Sequence, residues 1–431
     1  MASSSTSSAF ALALPPAHLL LFQLIGASAA VGCPSPESWV RPAVLPILSA
    51  CSYGIMKNGN AYMRPRWASL LGGFSVAVLL RYLDVGVINR WNFESQGPVG
   101  TKKAAHENTE GHSSTLRSSP STDTFFNRMR YGWYTIWSFR QVNTPYEVRN
   151  VPRFSDFDPN YVPSRATFVL RQAASAIICY LLLDLLSQRP PPTDLSRFDP
   201  ALIPLFSRLP SVTAAELRLR ALTITGFAVT FFLIIQGAQS FAAALSVATG
   251  VSPVRNWRPA FGSIWDAYSL KNVWGYFWHQ LLRQSLSAPA KFLVHNILNL
   301  PRHSSLSGVI IIFSSFALSG VLHTAAGVSS GMPISQLGVF RFFCTQACGL
   351  ILEQSIVSLF RYSFKQTASA SDQRGNKNES PHWHVRLVGY AWVMAFMVWT
   401  GPSWIYPQAA RAPAQGATSI LPFSIFKWMN R

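Results

Sequence analysis

Apolar residues gather into eight long runs, at about 10 to 31, 41 to 56, 68 to 89, 166 to 187, 221 to 249, 306 to 327, 336 to 360 and 386 to 406. An α-helix rises about 1.5 Å per residue, so about 20 such residues cross a hydrocarbon layer about 30 Å thick. Inside hydrocarbon every backbone polar group needs an internal partner, which a helix supplies. The pattern therefore predicts an all-α, polytopic transmembrane helical bundle of about eight to nine spans. The run at 41 to 56 is short. The run at 68 to 89 contains Arg81 and Asp84, which places its lower end in the headgroup interface. The first run is preceded by no Lys or Arg and is read as a retained span, although Ala-Ser-Ala at 27 to 29 resembles a signal-peptide cleavage site.

Polar connections divide the runs. Residues 1 to 89 form an N-terminal group of transmembrane segments, 90 to 165 a basic loop, and 166 to 431 a transmembrane core. The loop includes TKKAAHENTEGHSSTLRSSPSTD, which is too polar to bury a core and is expected to be disordered. YGWYTIWSFRQVNTPYEVRNVPRF follows it, and two readings stand: aromatics and arginines at the headgroup level, or an ordinary loop with a few buried rings. Lys and Arg are concentrated in 90 to 165, 250 to 305 and 361 to 385, which places those connections on the cytosolic side. Lys57, Arg64 and Arg66 disagree with that assignment if all three early runs cross.

Composition sharpens this picture. Residues are 49% hydrophobic and only 12% charged, against about one quarter charged in a soluble domain. A net charge of +19 raises nucleic acid as a partner. The basic residues lie in connections between apolar runs rather than on one solvated face, so no nucleic-acid partner is expected. Five scattered cysteines, with CTQAC as the only close pair, suggest neither zinc nor a disulfide framework. HWH at 382 to 384 lacks a nearby third ligand and reads as an exposed linker, so no metal site is assigned. Asp184 and Glu353 lie inside apolar runs, as part of an ion pathway or, more simply, near helix ends or paired with a neighbour.

Two histidines stand out. From Leu270, the sequence LKNVWGYFWHQLLR puts Leu270, Val273, Trp274, Phe277, Trp278, Leu281 and Leu282 on one helical face, with Asn272, Tyr276, His279 and Arg283 on a second stripe. This predicts an interfacial amphipathic helix, either a simple anchor or part of a site. His323 is the only strongly basic group in the uncharged run 306 to 327, spaced by four from Ser319 and Ser315. An ionisable group in a span is a functional candidate, and the alternative is a small-residue helix contact with the histidine bonded across it. A neutral imidazole can take the proton from an alcohol attacking a thioester, and an apolar surround excludes water. His279 or Asn272 would orient the reactants and stabilise the oxyanion.

WRPAFGSIWDAYSLKNVWGYFWHQLLR, followed by SGVLH with His323 lying 44 positions after His279, resembles the fungal wax-synthase-like branch of the membrane-bound O-acyltransferases over about 257 to 327. VWGY stands where that family more often has FWGR. The resemblance implies transfer of an acyl group from coenzyme A to a hydroxyl, with His323 as the catalytic histidine and His279 as the second motif position. It implies acyl-CoA, in fungal relatives acetyl-CoA, as co-substrate rather than a bound cofactor. Asn272 and Trp278 are then expected at the donor, with Arg258, Lys271 and Arg283 meeting its phosphates. The implied acceptor is a hydrophobic secondary-metabolite alcohol such as a terpenoid, or a long-chain alcohol giving a wax ester, in a bilayer of the endoplasmic reticulum. A transporter or non-catalytic scaffold is the alternative from another class. It would show repeats with matching broken helices, and none is found in the sequence.

The orientation has a direct test. Asn378-Glu379-Ser380 is a glycosylation sequon within a loop assigned to the cytosol. Asn378 should stay unmodified, and a glycosidase-sensitive mass shift abolished by Asn378→Gln would reverse the topology.

Overall fold

In a computed structural model, residues 15–99, 123–188, 193–367, 382–411 and 420–429 are described. The sequon, most of the polar stretch at 101 to 123 and the first 14 residues lie outside them. The regular secondary structure of the described residues is helical, apart from an isolated bridge between Asn92 and Gly97. In chain order the helices are α1 (Pro16–Gly32), α2 (Val40–Tyr62), α3 (Pro65–Tyr82), α4 (Phe125–Trp137), α5 (Arg165–Ser187), α6 (Ala214–Ala248), the single turn α7 (Leu270–Asn272), α8 (Arg283–Phe292), α9 (Ser305–Ser329), α10 (Val339–Thr367), α11 (Trp383–Thr400), α12 (Pro402–Arg411) and α13 (Ile425–Met429).

Among the described residues, five stretches are long and apolar enough to cross a membrane: Pro65–Ile88, Arg165–Ser187, Ala214–Ala248, Ser305–Ser329 and Val339–Phe360. Local chemistry sets many boundaries. Pro16 and Pro65 open α1 and α3 at positions whose N–H groups would be unpaired in any case. Thr124, Ser164 and Thr213 accept hydrogen bonds from the first turns of α4, α5 and α6.

Buried polar groups hold the first helices together. Gln23 on α1 donates to Ser52 on α2 and to the Ser75 carbonyl on α3, while Ser75 donates back to the Gln23 side-chain oxygen. Arg41 is almost fully buried and is satisfied by the carbonyls of Val31, Pro34, Ser35, Gly86 and Trp91. α3 then packs on α9, and at Gly72 the approach is so close that a Cβ would overlap Ser329. The early helices thus contact the helix that carries His323.

Arg81 and Asp84 lie inside the protein, 0% and 1% exposed, rather than among headgroups. They pair at 3.1 Å, and Arg81 also donates to the carbonyls of Thr135 and Ser138. Those carbonyls belong to the last turn of α4 and to the residue that caps it, in a stretch that the sequence pattern leaves as loop. α4 is amphipathic: Gly132 faces α1, while Phe125, Phe126 and Tyr134 remain exposed. Asp184 caps α13 by accepting from the backbone N–H groups of Ile425 and Phe426.

The expected amphipathic helix at 270 to 284 does not form as one element. One turn of α7 passes into a π-helical turn at Val273–Phe277, and Trp278 is already extended, with ψ of 146°. The carboxamide of Gln280 turns back and donates to the carbonyls of Trp274 and Trp278, so the chain cannot continue its own helical ladder there. His279 therefore leaves the stripe predicted for it, and α8 begins only at Arg283.

Paired substitutions test the packing. A Cβ at Gly132 would fall on the Ser28 carbonyl, whereas a Cβ at Gly226 on α6 meets nothing within 4 Å. Gly132→Ala should cost about 1–3 kcal/mol through overpacking and lower the thermal unfolding midpoint in detergent. Gly226→Ala should leave it unchanged or slightly raised.

Candidate active site

His323 sits in the C-terminal third of α9, which is continuous, so Ser315 and Ser319 share its face as the spacing of four predicts. Its ring stacks on Phe343 of α10 at 4.9 Å between centroids and 9° between planes, and lies 5.0 Å from Trp404 of α12. Phe342 and Trp404 close the same aromatic cluster. Among the described residues the imidazole makes no hydrogen bond. A half-buried base in an aromatic surround, with its nitrogens uncommitted, is free to accept a proton from a substrate.

The second histidine reaches this region along a chain of rings. Trp274 lies 6.1 Å from Phe343 and 5.7 Å from Phe316, Trp278 lies 6.3 Å from Trp274, and His279 lies 5.6 Å from Trp278. Phe261 packs edge-on to His279 at 5.9 Å. The Nδ1 of His279 is buried and has no partner among the described residues. Burial, then the neighbouring His323 and Arg140, push its pKa down to about 3. The ring is therefore neutral at physiological pH.

The backbone carrying these rings is held from several directions. Glu353 of α10 accepts from the N–H groups of Leu270 and Lys271 and from the Trp392 indole of α11. Gln346 of α10 accepts from the Trp274 indole and donates to Thr400. The Gly275 carbonyl accepts from Asn150 at 2.8 Å and from Arg283 at 3.0 Å. Arg140, buried in the segment after α4, donates to the carbonyls of Arg258 and Pro259, just before Phe261.

The sequence-derived donor residues separate into groups. Asn272 and Trp278 lie on the same short segment as His279; Asn272 is half-buried and its side chain makes no hydrogen bond among the described residues. Lys271 is exposed. Arg258 faces Glu147 at 4.0 Å, and Arg283 is turned inward onto Gly275 and Gln280. Lys291 joins the cations: burial, then Arg149 and Arg283, hold its ammonium pKa below the ordinary range. Neither Arg149 nor Lys291 belongs to a motif, so spacing alone gave no signal for them. His382 and His384 stack at 5.5 Å at the exposed start of α11, and among the described residues no three potential metal ligands gather.

The chain is similar to known proteins. A family model described as the membrane bound O-acyl transferase family matches residues 257–345, a range that includes both histidines and Phe343. The chain is 31% identical to the acetyltransferase aurG of Calcarisporium arbuscula, over 89% of this chain and 90% of the relative. It is 28% identical to the acetyltransferase fsoF of Humicola fuscoatra, over 94% and 98%. The acetyltransferase atnC of an Arthrinium species is 31% identical over 71% of this chain and 68% of its own length. With two histidines joined through one aromatic cluster and that similarity along most of its length, this chain is an O-acyltransferase enzyme and belongs to the membrane-bound O-acyltransferase family.

Proposed function

We propose that the protein transfers an acetyl group from acetyl-CoA to a hydroxyl of a hydrophobic secondary metabolite such as a terpenoid. The observation that carries this is His323, held by Phe343 and Trp404 with its ring nitrogens uncommitted among the described residues, and joined to His279 through Trp274 and Trp278. The relatives' names supply the acetyl group. As the alcohol oxygen attacks the thioester carbonyl, its proton passes to His323. The carbon–sulfur bond then breaks, and the thiolate of coenzyme A takes up a proton as it leaves. The uncharged His279 and the unengaged Asn272 amide orient the acyl group and stabilise its oxyanion. The aromatic cluster keeps water from the thioester.

The donor approaches from the cytosolic side, where Lys271, exposed beside the motif segment, meets its phosphates together with Arg258 and Arg283. Arg149 and Lys291 add to that positive field. The acceptor enters from the bilayer, and eight to nine crossings in the endoplasmic reticulum accommodate the apolar runs.

The test measures labelled ester formed from labelled acetyl-CoA and a hydrophobic alcohol, in membranes containing equal amounts of each variant. His323→Ala should abolish ester formation while insertion and yield persist. His279→Ala should reduce turnover by about 10²- to 10³-fold, and His279→Asn should do less harm. Near-normal turnover by His323→Ala would overturn the reading.

A pH series tests the state of His279. Its pKa is lowered on folding, so below about 6.5 the unfolded chain binds a proton that the folded chain refuses down to about 3. Stability linked to this group is complete above pH 6.5 and lost as the pH falls. The stability of the wild type relative to His279→Asn should therefore decline between pH 6.5 and 4, as read from thermal midpoints in detergent. A constant difference would contradict a neutral, buried imidazole.

A further inference from the structure

We propose that Glu353 is a positioning residue for acyl transfer, and that α10 sets the alignment of the two histidines. This rests on the reading of His323 and His279 as the reacting pair. Phe343, Gln346, Leu350 and Glu353 are spaced by three, four and three, so they line one face of α10. That face is buried along its length. At its start Phe343 is the platform on which His323 stacks. At its far end Glu353 grips the segment that carries His279.

The grip is specific. One carboxylate oxygen of Glu353 accepts from Leu270 N–H at 2.7 Å and from the Trp392 indole at 3.0 Å; the other accepts from Lys271 N–H at 3.1 Å. With the Gln354 carboxamide at 3.4 Å, all four partners are donors, and the two backbone groups belong to the first turn of α7, where no intrahelical acceptor exists for them. Ser269 caps the same turn by accepting from Asn272 N–H at 3.1 Å. Between the two ends Gln346 holds the Trp274 indole.

From Leu270 to His279 the chain has little freedom to absorb a shift. Trp278 N–H closes the π-helical turn on the Val273 carbonyl at 2.7 Å, and Gln280 fixes the carbonyls of Trp274 and Trp278. A displacement at Leu270 is therefore passed to Asn272, Trp278 and His279 together. Glu353 touches no reacting atom in this scheme. It acts through the backbone of the motif, and a single rigid helix measures the separation between His323 and its partner group.

Glu353→Gln keeps the shape but replaces one acceptor with an NH₂ group that must face a donor. We compare it with Trp392→Phe, which removes the α10 to α11 bond and leaves both backbone bonds to the motif intact. Both are purified in detergent, and initial rates are expressed per folded enzyme. Glu353→Gln should lower kcat on the order of 10²-fold, the scale of a small misplacement of reacting groups, with KM for the acceptor alcohol within about 2-fold of wild type. Trp392→Phe should retain kcat within about 3-fold, with a comparable fall in thermal midpoint. If Glu353→Gln does not accumulate, Ser269→Ala replaces it, with an expected loss in kcat of about 3- to 10-fold at unchanged acceptor KM. A normal kcat per folded enzyme, in Glu353→Gln or in the Ser269→Ala that replaces it, reduces Glu353 to a packing role and overturns the proposal. His323→Ala runs in parallel: if it retains activity the underlying reading fails, and if it is inactive while Glu353→Gln turns over normally, only the positioning role fails.

Discussion

The structure depends on satisfying the backbone polar groups of one irregular, half-buried segment within an α-helical bundle. A regular helix needs nothing from its neighbours to bond its own N–H and C=O groups, but residues 270 to 280 abandon that ladder at Trp278. The groups they free find partners in side chains and in the backbone of another segment: Glu353 for two N–H groups, Gln280 for two carbonyls, Asn150 and Arg283 for the Gly275 carbonyl, and the Gly262 N–H for the Phe277 carbonyl. An unpaired backbone group in an apolar interior costs several kcal/mol, so the segment's shape is as well determined as a helix, though its determinants are distant in sequence.

The same requirement explains other buried charges. Arg81, Arg140 and Arg220 each donate to main-chain carbonyls at places where the chain leaves a helix, with Asp84 or Glu216 as counter-ion for two of them. Guanidinium suits this work because its fan of donors can meet several carbonyls at once. Two of these arginines connect the functional region to the segment after α4. Arg140 fixes the turn before Phe261, and Arg81 ties that segment to α3, which in turn packs on the helix of His323. A stretch that reads as a connection is thus structural support for the site.

Chemistry follows from this rigidity. His323 is presented by a continuous helix and flanked by rings that offer it no hydrogen bond, while His279 is presented by a broken segment anchored to α10. Two different supports thus converge on one aromatic cluster.

The sequence by itself determined the all-helical architecture, because the apolar runs leave no other way to bond their backbone in hydrocarbon. It also offered His323 as a candidate, as the ionisable group of an uncharged run, and His279, through the aromatic motif around it. The course of 270 to 284 was not legible. Periodicity registers which residues are apolar, and a broken segment surrounded by protein has the same apolar content as a surface helix. The roles of Glu353, Arg81 and Asp84 were hidden for a related reason: a charge inside an apolar run signals a need for partners without naming them. Those partners are backbone groups of other segments, which carry no residue-type signature, so only the tertiary structure could decide where each charge is spent.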